Sequence, residues 1–319
     1  ALGSAYYAYQ LYKESRPIKL PEEWRQIGTV TDMYVYPIKS CAPVVMNTAE
    51  CTILGLRDGW LRDRVLMVID EKNNFITARA YPELLLVHPS VKGSVLTLKH
   101  VDMEDLNVNL AEIVAINSTK QARVWGCPVN VFDCGYDACE WFSRHLARSP
   151  SKFRLAYYAS QEPRAFKANK VFPRWLKTDT GAFADEMSFN IINQASVDDL
   201  QKRVGNIPIS HRNFRPSFVV EGPAAYEEDN WKFIKIGDNV FEVVKPCTRC
   251  VLTTIDPETG VRNSGSEPLT TLKTYRQIED IKYHSVQRRA AGNSPRMGIQ
   301  MALRSPGNRV SINDAVYVA

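Results

Sequence analysis

From Ile27 onward, apolar and polar positions follow mostly the period of strands. Thr29 to Tyr36 is rich in β-branched and aromatic residues and stops at Pro37, which predicts a strand with a firm end. The apolar run Val65 to Ile69, the turn-forming Asp70 to Asn74 and the apolar Phe75 to Ala78 predict a hairpin. Val95 to Leu98 and Arg123 to Phe132 read as further strands. The first helical pattern is Asp137 to Arg148, where Ala138, Trp141, Phe142, His145 and Leu146 share one face. His145 on that face reads as a core histidine rather than a ligand.

The stretch Ser160 to Asp185 carries Pro163, Pro173 and Gly181 with few apolar runs, and reads as a linker. Strand patterning resumes at Phe189 to Ile192. Ser196-Val197-Asp198-Asp199 has the look of a capping box opening a short helix that Gly205 ends. Strands are predicted at Phe218 to Val220, Phe233 to Ile236, Val240 to Val244 and Val251 to Ile255, with a turn at Asp256 to Gly260. Leu269 to Arg276 reads as helix, and Met297 to Leu303 and Val310 to Val318 as closing strands. Ile236-Gly237-Asp238-Asn239-Val240 echoes Ile312-Asn313-Asp314-Ala315-Val316, each strand, tight turn, strand. Many short strands and few helices predict a β-rich α+β protein with at least one barrel.

Composition narrows the function classes. The chain has 319 residues, 45% hydrophobic and 24% charged, which excludes general disorder and suits about two domains at roughly 150 residues each. Forty Lys plus Arg against 35 Asp plus Glu leave a net charge of +5. That excess is too small to point to nucleic acid and suits an anionic ligand or an acidic partner. Glycine and proline show no period, so solenoid repeats are excluded. No glycine-rich dinucleotide fingerprint follows a strand, and no Walker-type phosphate loop is present. Ala1 to Leu11 is apolar with Tyr6, Tyr7 and Tyr9, followed by Tyr12, Lys13 and Arg16. It falls short of the roughly 20 apolar residues that span a bilayer, but tyrosines followed by basic charge suit the interfacial end of an anchor, or else an ordinary amphipathic segment docked on the protein. Pro17 and Pro21 then break the chain into a short linker.

Seven cysteines, at 41, 51, 127, 134, 139, 247 and 250, form an odd set in a chain large enough to fold without staples, which suits a reducing compartment. Cys247-Thr248-Arg249-Cys250 is the sharpest local feature. A structural zinc site would need two more ligands, and there is no second Cys-x-x-Cys pair. A redox pair would want the motif opening a helix, whereas this one lies between predicted strands. A single thiolate ligand to a soft metal, or two buried cysteines without chemistry, remain open. Lys39 and Ser40 follow a strand end, Arg57, Arg62 and Arg64 crowd one loop, and Arg215 sits in Asn213-Phe214-Arg215-Pro216. These side chains suit a phosphate, although each segment alone is also an ordinary solvated basic surface.

The order of these segments carries a resemblance. Val35-Tyr36-Pro37-Ile38-Lys39-Ser40-Cys41, Leu61-Arg62-Asp63-Arg64, Asn213-Phe214-Arg215-Pro216 and Cys247-Thr248-Arg249-Cys250 with Val251-Leu252-Thr253-Thr254-Ile255-Asp256-Pro257 together resemble the MOSC-domain molybdenum proteins. Within them the similarity is to the mitochondrial amidoxime-reducing component family, from about Trp24 to the end of the chain. The resemblance implies an anchor remnant and linker over 1–23, a MOSC N-terminal β-barrel-like domain over 24–159 and a MOSC barrel over 160–319. A pyranopterin molybdenum cofactor (molybdenum-molybdopterin) would lie between the two. By motif position it implies Cys250, the second cysteine, as the thiolate ligand of molybdenum and the catalytic residue. Thr248 and Arg249 would contact the cofactor, and Lys39, Ser40, Arg64 and Arg215 would bind its phosphate and pterin. Asp185, Glu186 and Met187 fall where the family contacts the cofactor after its linker, in a stretch that diverges here. The segment Ile278 to Arg304 is also unusual for the family and carries no assigned role.

The implied reaction is two-electron reduction of N-hydroxylated compounds: amidoximes, N-hydroxyguanidines, hydroxylamines and N-oxides. The N–O bond breaks, two electrons and two protons enter, and the oxygen leaves as water. Thiolate and dithiolene are soft donors suited to molybdenum cycling between Mo(IV) and Mo(VI). The implied electron source is NADH through cytochrome b5 reductase and the acidic cytochrome b5. The implied location is the mitochondrial outer membrane, facing the cytosol and held by an N-terminal anchor. Two other classes are compatible with the motifs: a MOSC sulfur-transfer or cofactor-carrier protein in which a cysteine bears persulfide, and a pterin-binding partner without turnover.

Overall fold

Seven strands close on themselves. In the computed structural model, which describes residues 18–147, 152–164, 172, 175–278 and 285–319, the order around the ring is Phe218–Glu221, Phe189–Asn193, Arg296–Ser305, Asn239–Thr248, Phe233–Ile236, Ala315–Val318 and Arg25–Val35. The last pairs back with the first, Thr29 opposite Glu221 and Met33 opposite Phe218. Only Phe189–Asn193 and Phe218–Glu221 run parallel, so a crossover must join them, and the helix Gln194–Val204 supplies it. Alternate residues point inward: Val30, Ile191, Val220, Ile234 and Val316 are fully buried. Phe189, Phe218 and Phe241 fill the interior, with ring centroids 5.1 to 6.3 Å apart. Closure brings backbones very near. A Cβ on Gly28 would lie 1.9 Å from the Glu221 carbonyl oxygen, so this seam requires glycine.

The remaining N-terminal strands build a second core. Thr119–Val124, Cys127–Asp133, Phe153–Tyr158 and Leu66–Asp70 form one sheet, and His88–Lys92, Val95–His100 and Met103–Asn109 form a meander. The helix Tyr136–Ala147 buries Ala138, Trp141 and Phe142 against them. His145 lies within bonding distance of the Glu83 carbonyl and stacks near His100. The strand Arg25–Val35 precedes these sheets in sequence yet belongs to the seven-stranded barrel, so the chain starts in one core, builds the second and returns. The two echoing turns meet: Ile236 pairs with Val316, and a Cβ on Gly237 would lie 3.5 Å from Asp314 Oδ2.

Several local expectations are corrected. Arg123 to Phe132 is two strands, not one, because Trp125 and Gly126 both take positive φ and turn the chain. Phe75 to Ala78 is no regular hairpin arm; Leu66–Asp70 pairs along its length with Phe153–Tyr158, and only Phe75 bridges Ile69. Asn193, not Ser196, caps the helix Gln194–Val204, its side chain accepting from Ala195 N–H. Ser196 lies inside the helix, where its hydroxyl donates to buried Glu228. Val251 to Thr254 is a 3-10 turn rather than a strand, because the Thr253 and Thr254 hydroxyls donate to the Cys250 and Val251 carbonyls and curl the backbone. The described part of 160–185 is packed: Arg164, Thr180, Phe183 and Ala184 are buried. The expected anchor Ala1 to Tyr12, with Lys13, Arg16 and Pro17, lies outside the described residues, as do Pro173 and residues 279–284. No helix among the described residues is long and apolar enough to cross a membrane.

Candidate active site

Both halves of the chain line a cavity of about 470 Å³, and all ten sequence-predicted site residues contribute to its wall: Lys39, Ser40, Arg64, Asp185, Glu186, Met187, Arg215, Thr248, Arg249 and Cys250. Local backbone bonding explains how distant segments meet. The Tyr36 to Ser40 loop is stitched to Arg64 to Leu66: Arg64 N–H donates to Tyr36 O and Lys39 N–H to Leu66 O, each at 2.7 Å. Ser40, Arg64, Trp125 and Arg215 all adopt left-handed φ values, 72°, 48°, 51° and 52°. Such non-glycine conformations cost roughly 1–3 kcal/mol each and gather where surroundings enforce a binding geometry. All four line the cavity.

One cluster is cationic. The Arg64 and Arg215 guanidiniums lie 4.7 and 4.1 Å from the Tyr36 ring centroid. Arg64 is anchored by buried Asp63 at 2.5 Å. Burial works against its charge, but Asp63 outweighs burial and raises its pKa. Arg215 has no such partner, and its guanidinium donates no hydrogen bond among the described residues. Burial draws its pKa down to about 10, with Arg64 pushing the same way and Tyr36 opposing. Tyr36 is driven up to about 12 by burial despite both arginines. The Ser40 hydroxyl nearby also makes no hydrogen bond among the described residues. A half-buried cation beside another cation, with donors to spare, is costly unless an anion completes it.

The second cluster surrounds Cys250, where the strand Asn239–Thr248 has ended and the 3-10 turn begins. Arg79 Nε lies 3.3 Å from Cys250 Sγ, and Arg79 Nη2 donates to Asp185 Oδ2 at 2.7 Å. The other oxygen of Asp185 accepts from Trp125 Nε1 at 3.1 Å and from Lys39 Nζ. Burial would raise the Asp185 pKa, but Lys39 and Arg79 outweigh it and hold the carboxyl well below the usual range. Lys39 falls to about 8, burial prevailing over Asp185. Cys247, the other thiol lining the cavity, is buried and its pKa is raised by that burial.

Not every predicted residue offers a free side chain. Arg249 spends its donors on the Met297 and Phe214 carbonyls, bracing the strand Arg296–Ser305 against the 210s loop. Glu186 is held by both oxygens on Lys245, 2.6 Å each, and Met187 packs with Phe172, Trp175 and Val244. Of the three loop arginines only Arg64 lines the cavity; Arg57 pairs with Glu50, and Arg62 reaches Gln161. Sequence reasoning missed Arg79, Trp125, Asn190 and Gln300, which also line it. Arg79 stands outside every motif, and Trp125 was hidden in an apparent strand.

Residues 27–149 match the MOSC N-terminal beta barrel domain, and residues 178–317 match the MOSC domain. The chain is 35% identical over 309 residues to mitochondrial amidoxime-reducing component 1 of Homo sapiens, covering 96% of this chain and 88% of that protein. The chain belongs to the MOSC-domain amidoxime-reducing component family. It is likewise 36% identical to mitochondrial amidoxime reducing component 2 of Bos taurus, covering 92% and 84%, and 37% identical to component 1 of Danio rerio, covering 81% and 78%. For this family member, the resemblance seen in four sequence segments extends across both domains. The segment between the matched domains includes Arg164, which donates to the Val124 and Ala184 carbonyls beside Trp125 and Asp185.

Proposed function

We propose that this MOSC protein is a molybdenum-cofactor-dependent reductase of N-hydroxylated compounds. The observation that carries the reading is the half-buried Arg215, whose guanidinium has no hydrogen-bond partner among the described residues, beside Arg64 in the same cavity as Cys250. A pair of arginines suited to an anion and a thiol suited to a soft metal line one chamber. No cluster of three or more metal-ligating side chains occurs among the described residues, so a metal here must bring most of its own ligands. A pyranopterin dithiolene does so, and its phosphate suits the Arg64, Arg215 and Ser40 donors.

When bound, this cofactor supplies a two-electron couple and an acceptor for the substrate's oxygen. The protein's part is binding and orientation. Cys250 offers the thiolate donor. Arg64, Arg215 and Ser40 hold the anionic end, and Lys39 and Arg79 set the charge near Asp185. Asp185 stays ionised near neutral pH because of those two cations, so it orients donors rather than releasing a proton. Electrons come from NADH by way of cytochrome b5 reductase and cytochrome b5, and the net positive charge of the chain favours an acidic carrier. The chain works at the mitochondrial outer membrane on its cytosolic side, held by an N-terminal anchor.

The test is a reconstituted assay with molybdenum-loaded chain, the reductase, cytochrome b5, NADH and benzamidoxime. Benzamidine should form with equimolar NADH loss. Absence of any NADH consumption above background by metal-loaded chain would leave only a cofactor-binding role.

A further inference from the structure

Resting on that reading, we infer that Arg79 is a positioning residue for the Cys250 sulfur, a charged N–H donor delivered from the N-terminal domain across the cavity. Its Nε stands 3.3 Å from Sγ, within hydrogen-bond reach of sulfur. The rest of the guanidinium is held in place. Nη2 is fixed on Asp185 at 2.7 Å, and Cζ lies 5.2 Å from the Trp125 ring centroid. The Arg79 carbonyl accepts from Arg262 Nη2 at 2.9 Å, which pins the backbone to the MOSC half. Asp185 is itself fixed by Lys39 and Trp125. A planar fork fixed on one edge leaves Nε a single direction, and that direction is the sulfur.

Such a bond has a definite electronic consequence. A cationic donor on a ligating thiolate withdraws charge from sulfur, which favours the lower oxidation state of the metal and raises its reduction potential. Arg79 therefore sets the driving force for electron uptake without touching substrate. Lysine at this position keeps the charge but cannot serve Asp185 and the sulfur together.

The test compares holoenzyme with Arg79→Ala and Arg79→Lys by molybdenum content, redox titration followed by electron paramagnetic resonance, melting temperature, and kcat and KM for benzamidoxime. Arg79→Ala should retain its molybdenum, show a more negative midpoint potential and an altered resonance, and lose about 10- to 100-fold in kcat, the range for outer-shell partners of metal ligands. Arg79→Lys should recover part of the potential. Unchanged potential and resonance with a raised KM would make Arg79 a substrate contact and overturn the inference. So would molybdenum loss in step with a lower melting temperature in both variants. A wild-type chain that binds no molybdenum overturns the functional reading and this inference together. A loaded wild type with an unshifted Arg79→Ala overturns the inference alone.

Discussion

Cys250→Ser should abolish reduction of N-hydroxylated substrate, while Cys247→Ser should keep most of the activity per folded molecule. The two thiols are three residues apart and line the same cavity, but their surroundings differ. Cys250 is partly exposed and faces Arg79. Cys247 is 5% exposed, its thiol kept protonated by burial. Serine at 250 fits the space but offers a harder, weaker donor to a soft metal. The loss should therefore exceed the roughly 10- to 100-fold typical of outer-shell changes. Serine at 247 buries a hydroxyl and costs about 1–3 kcal/mol of stability if it finds no partner, so activity must be normalised to folded, metal-bearing protein. Full activity in Cys250→Ser with loss in Cys247→Ser would exchange the two roles.

The second large effect concerns the arginines around Tyr36. Arg215→Ala should sharply lower cofactor occupancy while leaving turnover per bound molybdenum largely intact. A charge-assisted hydrogen bond is worth about 1.5–3 kcal/mol, or roughly 10- to 100-fold in affinity. The cofactor-free proteins should separate the two residues. Arg215 is half-buried, forms no ion pair among the described residues and has a like charge nearby, so its removal should leave the melting temperature unchanged or higher. Arg64→Ala should lower it, because buried Asp63 loses its ion-pair partner, a loss of about 3–5 kcal/mol for a buried pair. Metal content and melting curves of both variants check this. Normal occupancy in Arg215→Ala would reduce that residue to a structural part.

The strands were legible because one face of each meets a core, and that shows as alternation or an apolar run. The barrel residues Phe218 to Val220 and Phe233 to Ile236 are of this kind. Three failures share a cause: the deciding contacts are hydroxyl-to-backbone bonds or meetings of distant segments, and periodicity registers neither. Trp125 turns the chain at positive φ where Asn or Gly is usual, and tertiary contacts with Phe75, Arg79 and Asp185 hold it there. Asn193 outcompetes Ser196 as a cap because Ser196 is claimed by Glu228. Thr253 and Thr254 are good strand formers, but their hydroxyls bond back to the chain and make a turn.

The site divides in the same way. Its residues were named because they fall in short segments whose order resembles a known family, and the cavity collects all ten. Their individual tasks were not legible. Whether Arg249 is free for a ligand depends on the Met297 and Phe214 carbonyls, which lie 48 and 35 residues away. Asp185 is defined by Lys39, Arg79 and Trp125, three residues from separate parts of the chain. Arg79 itself is a lone arginine until the fold places it against Cys250 Sγ.

The central claim, that this cavity holds a molybdenum cofactor through Cys250, is tested most directly by elemental analysis of the purified chain together with pterin fluorescence after denaturation. The purified chain should carry molybdenum approaching one atom per chain and release pterin in equal amount, and Arg215→Ala should lose most of both. A chain expressed in a host that makes the cofactor, yet carrying neither molybdenum nor pterin and bearing labile sulfane sulfur on a cysteine, would contradict it and identify a sulfur carrier.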